Sequence, residues 1–84
     1  MTFTPELVHE LNALLLFKAE DNQQGVKVHK TALPEVIDAM RRLHAKTLIT
    51  QVDGGYLTPI GREAQSNALV LLGLLNSGLA AQVK

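Results

Sequence analysis

The chain has 84 residues, with eight Lys and Arg against eight Asp and Glu, so its formal net charge is zero. That balance argues against a strong nonspecific grip on nucleic acid, which comes mainly from neutralising phosphates with lysine and arginine. Cysteine is absent, which excludes disulfides, thiolate metal sites and thiol nucleophiles and fits the cytoplasm better than an oxidising compartment.

A chain this short makes one domain, residues 1–84, and a domain of this size hides only somewhat more than about 60% of its unfolded surface. Aromatics supply 4% of it and tryptophan none, so the core must be built from leucine, valine, isoleucine and alanine. Met1-Thr2-Phe3-Thr4 lacks the basic start and apolar run of a signal peptide. The longest apolar run, Ala68 to Leu75 interrupted by Gly73, falls short of the roughly 20 residues of a membrane span. The expectation is a soluble cytoplasmic protein without membrane contact.

Thr4 is an N-cap candidate with Pro5 at the first helical position and Glu6 favouring the helix dipole. Leu7, Val8, Leu11, Leu14 and Leu15 recur at helical spacing, Phe3 is placed to staple over Val8, and the helix is expected to end near Lys18. Glu20 to Gly25 is rich in turn formers and reads as a loop. Val26-Lys27-Val28-His29 alternates like a short strand that can pair on the outer edge of a later hairpin.

A second helix is expected from Pro34 to Lys46, with Leu33, Val36, Ile37, Met40 and Leu43 as its buried stripe. Its outward face carries Glu35, Asp38, Arg41, Arg42 and Lys46, and Asp38 is one turn from Arg42, the spacing of a helical ion pair. Between Val26 and Leu48 five cations face two acids, a local +3 against −3 elsewhere.

Leu48 to Val52 and Tyr56 to Thr58 flank Asp53-Gly54-Gly55, a strong hairpin signal with its bend expected at the glycines. Thr58 and Pro59 open a last helix whose expected core stripe is Ile60, Ala64, Ala68, Leu71, Leu75 and Leu79. Leu69, Val70, Leu72 and Leu74 fill its other directions. A helix apolar all round needs cover on every side, so these four are the expected contact of a homodimer through the C-terminal helix; the alternative is that they wrap a small core and stay partly exposed. Gly73 and Gly78 mark either a close helix contact or fraying.

A helix, a glycine hairpin and a second helix in this order predict a mainly α fold of winged helix-turn-helix type, three main helices plus a wing. The passage VIDAMRRLHAKTLITQVDGGYLTPIGREA resembles the recognition-helix, wing and last-helix section of bacterial regulators of the multiple-antibiotic-resistance and phenolic-acid-repressor types, through its K-x-L-I step and its L-T-x-x-G-R-E-A exit, Met40 to Ala64 carrying most of the likeness. The whole chain, from FTPELVHELN through GVKVHK to ITQVDGGYLTPIGREA, resembles a small bacterial family labelled hypothetical DNA-binding, or DNA-binding-inhibitor-like, proteins. The stretch before Leu33 departs from the regulator pattern, because no second helix precedes the recognition helix.

The resemblance implies a dimeric protein of transcription regulation that binds double-stranded DNA. Its candidate phosphate contacts are Lys27, Lys30, Arg41, Arg42 and Lys46, with the alternative of a solvated charged face. Against it, the start of the recognition helix offers Glu35 and Asp38, and the wing tip carries no lysine or arginine. The alternative from a different class is a protein-protein interaction module on the same scaffold, since a fold does not dictate a function.

His9, His29 and His44 lack the paired helical spacing of a zinc site. Ser66 and Ser77 have no histidine and acid in a nucleophile elbow, and no glycine-rich loop stands in phosphate-binding spacing before a helix. No enzyme activity, cofactor or metal is expected.

Overall fold

Each of the chain's three prolines starts a helix, where its fixed φ fits and its missing N–H is not needed. The computed structural model describes residues 1–17 and 25–77. Its elements in chain order are α1 (Pro5–Leu14), β1 (Val26–Lys27), α2 (Pro34–Ala45), β2 (Ile49–Gln51), β3 (Gly54–Leu57) and α3 (Pro59–Asn76). Thr4 caps α1 by accepting from the Leu7 N–H at 3.2 Å, and Thr58 caps α3 by accepting from the Gly61 N–H at 3.0 Å. Leu33, the corresponding residue of α2, has no side chain able to cap.

The three strands form one antiparallel sheet in the order β1-β3-β2. With α2 leading into the β2–β3 hairpin and the hairpin into α3, the layout is mainly helical and winged-helix-like. Val26 pairs with Gly55 and Lys27 with Gly54, so the alternating segment does lie on the outer edge of the hairpin. The strand stops at Lys27, but the Val28 N–H still donates to the Asp53 carbonyl at 2.8 Å. From there to Leu33 the chain forms a turn closed by the Ala32 N–H on the His29 carbonyl, and no helix lies between residues 25 and 33.

The hairpin bends one step earlier than its glycines suggest. Gln51 pairs with Gly54, leaving Val52 and Asp53 as the two-residue turn. Gly54 and Gly55 enter β3 instead, at φ 131° and 76°, and the register shifts beside them as in a β-bulge. A side chain at Gly54 would overlap the Val26 carbonyl, so the same glycine that permits the bulge lets β1 approach.

α2 ends in a helix-stopping turn of Schellman type. Thr47 takes the left-handed position at φ 63°, its N–H donates to His44 and the Leu48 N–H donates to Leu43, each at 3.0 Å. Leu48 then binds the next element twice. Its carbonyl accepts from the Thr58 N–H at 3.1 Å, and it lies so close to Gly61 that a Cβ there would overlap it. Gly61 is therefore the buried residue in the first turn of α3, and Ile60 faces solvent, contrary to the expected stripe.

The core is formed by Ala13, Leu14 and Phe17 of the first helical segment, Ala39, Met40 and Leu43 of α2, and Ile49 and Leu57 of the hairpin. Three expectations for the helices are corrected by this packing. In α1 the buried face is Glu10, Ala13 and Leu14, while Leu7 and Val8 are exposed and Phe3 does not cover Val8 tightly, being itself exposed. α1 ends at Leu14 rather than near Lys18, which lies outside the described residues, because i→i−3 bonds tighten the turn through Phe17. In α2 Leu33 is exposed, and Ala39 takes a place in the buried stripe beside Met40 and Leu43. The expected loop from Glu20, apart from Gly25, and the expected core residue Leu79 with Gly78 also fall outside the described residues.

Candidate nucleic-acid interface

The five cations named from the sequence separate onto two sides of α2. Arg42 and Lys46 follow each other by one turn and face α1. There Arg42 Nε donates to Glu10 Oε2 at 2.8 Å, Arg42 Nη2 donates to the Glu6 carbonyl at 3.2 Å, and Lys46 Nζ donates to Glu10 Oε1. The Glu10 side chain is 8% exposed, whereas those of Arg42 and Lys46 are 33% and 47% exposed. Burial pushes the Glu10 carboxyl up, but the donations from Lys46 and Arg42 together outweigh it and hold the group below its ordinary value. Arg42 thus takes its partner from α1 and not from Asp38, as the helical spacing suggests. A carboxylate satisfied by two donors of another helix outcompetes an exposed pair along one helix.

Lys27, Lys30 and Arg41 converge on the other side. Together with His29 and Thr31 they border an open groove of about 870 Å³ between β1, α2 and the wing tip. Its apolar wall is Val28, Ile37, Met40 and Val52, and its one acid is Asp53. Lys27, His29, Lys30 and Arg41 are all exposed. The geometry explains the convergence. The β1–β3 pairing brings Lys27 beside the wing, the turn after Val28 folds Lys30 back, and burial of Met40 directs its neighbour Arg41 outward. Glu35 and Asp38 lie on the exposed surface of α2 and do not border this groove.

Sequence reasoning missed two residues that organise this region. Glu10 sits amid Leu7, Val8 and Leu11 and looks like one more solvent-facing acid of an amphipathic helix. The other is Gln65, 1% exposed, whose Nε2 donates to the Leu14 carbonyl at 2.7 Å and the Phe17 carbonyl at 2.6 Å. It supplies the closing donors for the end of α1 from a different helix. No local signal marks either role, because their partners lie far away in sequence.

Leu69, Val70, Leu72 and Leu74, expected at a dimer contact, are all exposed on α3. Among the described residues no group of three or more His, Asp or Glu could hold a metal ion, and no helix is long and apolar enough to cross a membrane.

Residues 1–76 match the model of a family described as "Family of unknown function (DUF5669)". The chain belongs to this family. No curated protein and no solved structure matches it. For this DUF5669 member the cation groove and the exposed part of α3 are therefore the features on which a functional reading rests.

Proposed function

We propose that the protein is a cytoplasmic winged-helix DNA-binding protein with a regulatory role, holding the phosphate backbone with Lys27, Lys30 and Arg41. The observation that carries this reading is the convergence of these three cations, from strand, turn and helix, on one open groove beside the wing. The resemblance of Met40 to Ala64 to the recognition-helix and wing section of bacterial regulators points the same way. Arg42 and Lys46 are left out of the contact set, because both donate to Glu10.

Three phosphate contacts predict a modest salt dependence. The logarithm of affinity should fall against the logarithm of salt with a slope of about −3 per protomer. Fluorescence anisotropy with a labelled duplex at low salt tests the proposal. Wild type should bind, and a Lys27→Ala, Lys30→Ala, Arg41→Ala variant should lose most of that affinity while keeping its fold. Absence of wild-type binding at low salt would overturn it.

A second reading is favoured by the apolar surface of α3 and by the commitment of Arg42 and Lys46 to Glu10. In it the scaffold serves as a protein-protein interaction module without DNA contact. The same titration separates the two.

A further inference from the structure

α3 runs for 18 residues, about 27 Å at the helical rise, but its buried residues Gly61, Gln65 and Ala68 all lie in its first ten. Beyond Ala68 no residue of the helix is buried. Leu69, Val70, Leu72, Leu74 and Leu75 are 50%, 62%, 41%, 58% and 68% exposed. They lie on two sides of the helix. Leu72 and Leu75 continue the stripe set by Gly61, Gln65 and Ala68 at steps of three and four, while Leu69, Val70 and Leu74 lie with Gly73 on the side turned away from it.

The second observation is charge. From Ala64 to Ser77 there is no Asp, Glu, Lys, Arg or His, although charged residues make up 19% of the chain. A partner for this segment has to bring an equally uncharged apolar surface, since any charge set against it would be desolvated without a counter-charge. The chain itself offers that surface. Leu69, Val70 and Leu74 form an exposed apolar patch of the kind that marks an interaction site, and a second copy presents the same uncharged patch to it.

We infer that the exposed C-terminal half of α3 is the contact surface for a second copy of this chain. Two such helices meet about a two-fold axis through the side that carries Leu69, Val70 and Leu74, which is turned away from each protomer's own core. Gly73, with nothing within 4 Å of its Cβ direction, leaves room for the helices to approach. The contact is apolar and therefore insensitive to salt. It is independent of DNA binding, and a dimer that ignores DNA leaves it standing while removing the function proposed above.

Sedimentation of the full chain at micromolar concentration tests it. The expected mass is twice 9.1 kDa, unchanged from low to high salt. Leu69→Glu and Leu74→Glu each place a carboxylate in the contact and should raise the dimer dissociation constant at least about 30-fold. Both positions face away from the protomer's own core, so circular dichroism should show the helix content retained. Leu33→Glu, at an equally exposed leucine that opens α2, should leave the dimer intact. A wild-type monomer, a dimer that salt dissociates, or a dimer that survives both α3 substitutions would each overturn the inference.

Discussion

Arg42 and Glu10, 32 residues apart in the chain, meet at 2.8 Å and join α2 to α1 through a carboxylate that is almost fully covered. Lys46 donates to the second oxygen, so both lone-pair sets of the buried acid are used. Glu10→Ala should lower the unfolding free energy by about 1–2 kcal/mol, the low end for a buried pair because both cations reach solvent. The pH dependence follows from the sign of the shift. The folded carboxyl titrates below its ordinary 4.5, so its stabilisation is fully present above that value and disappears as pH falls through the folded value. Urea denaturation between neutral pH and pH ~3 should show wild type losing stability faster than Glu10→Gln. Parallel losses in the two proteins would contradict this.

Neighbouring arginines should behave in opposite ways. Arg41 borders the groove and is exposed, whereas Arg42 binds Glu10 and the Glu6 carbonyl. Arg41→Ala should reduce DNA affinity with a stability change within about 0.5 kcal/mol. Arg42→Ala should cost about 1–2 kcal/mol of stability by leaving half of Glu10 unmatched, and change DNA affinity little. Anisotropy and thermal melting of the two variants, side by side, give the comparison.

Gln65→Leu replaces the amide with an apolar side chain and removes its donations to the Leu14 and Phe17 carbonyls, of which that of Leu14 still accepts from the Phe17 N–H at 3.3 Å. The cost should be about 2 kcal/mol, moderated because the Gln65 Oε1, itself without a hydrogen-bond partner, is removed as well. The loss is local in origin. Amide hydrogen exchange should therefore accelerate first at Leu15, Leu16 and Phe17, whose N–H groups close the last turn of the segment.

Thr47 holds a left-handed conformation that a β-branched residue adopts at a cost. Its contacts with α3 go through its backbone, since the Thr47 carbonyl accepts from the Thr58 hydroxyl at 2.7 Å. Thr47→Gly removes the strain and keeps that bond. It should stabilise by about 1 kcal/mol, a rise in melting temperature of roughly 4–8 °C for a domain of this size. A fall in melting temperature would show that the Thr47 hydroxyl on the Lys46 carbonyl, at 2.5 Å, outweighs the strain.

Much of this architecture is local and so was legible in the chain. Thr4-Pro5 and Thr58-Pro59 carry both the cap and the fixed φ of a helix start, and the structure places α1 and α3 there. The alternation from Val26 to His29 offered an outer-edge strand without deciding it, and the pairing with β3 forms it over Val26–Lys27 only. Side-chain facing was harder. Leu7, Val8, Leu33 and Ile60 satisfy a helical period but are exposed, because the face a helix buries is set by what it packs against and periodicity only offers candidates.

The sequence by itself determined where the helices start, that a glycine-containing hairpin separates the last two, and that the C-terminal helix carries more apolar surface than a small core can absorb. These follow from caps, fixed dihedrals and composition, which act within a few residues. Tertiary structure alone decided that five similar cations divide into two that neutralise Glu10 and three that border a groove, and that Gln65 closes α1 from α3. A charge or an amide is assigned its task by partners brought close in space, and spacing along the chain carries no record of that encounter.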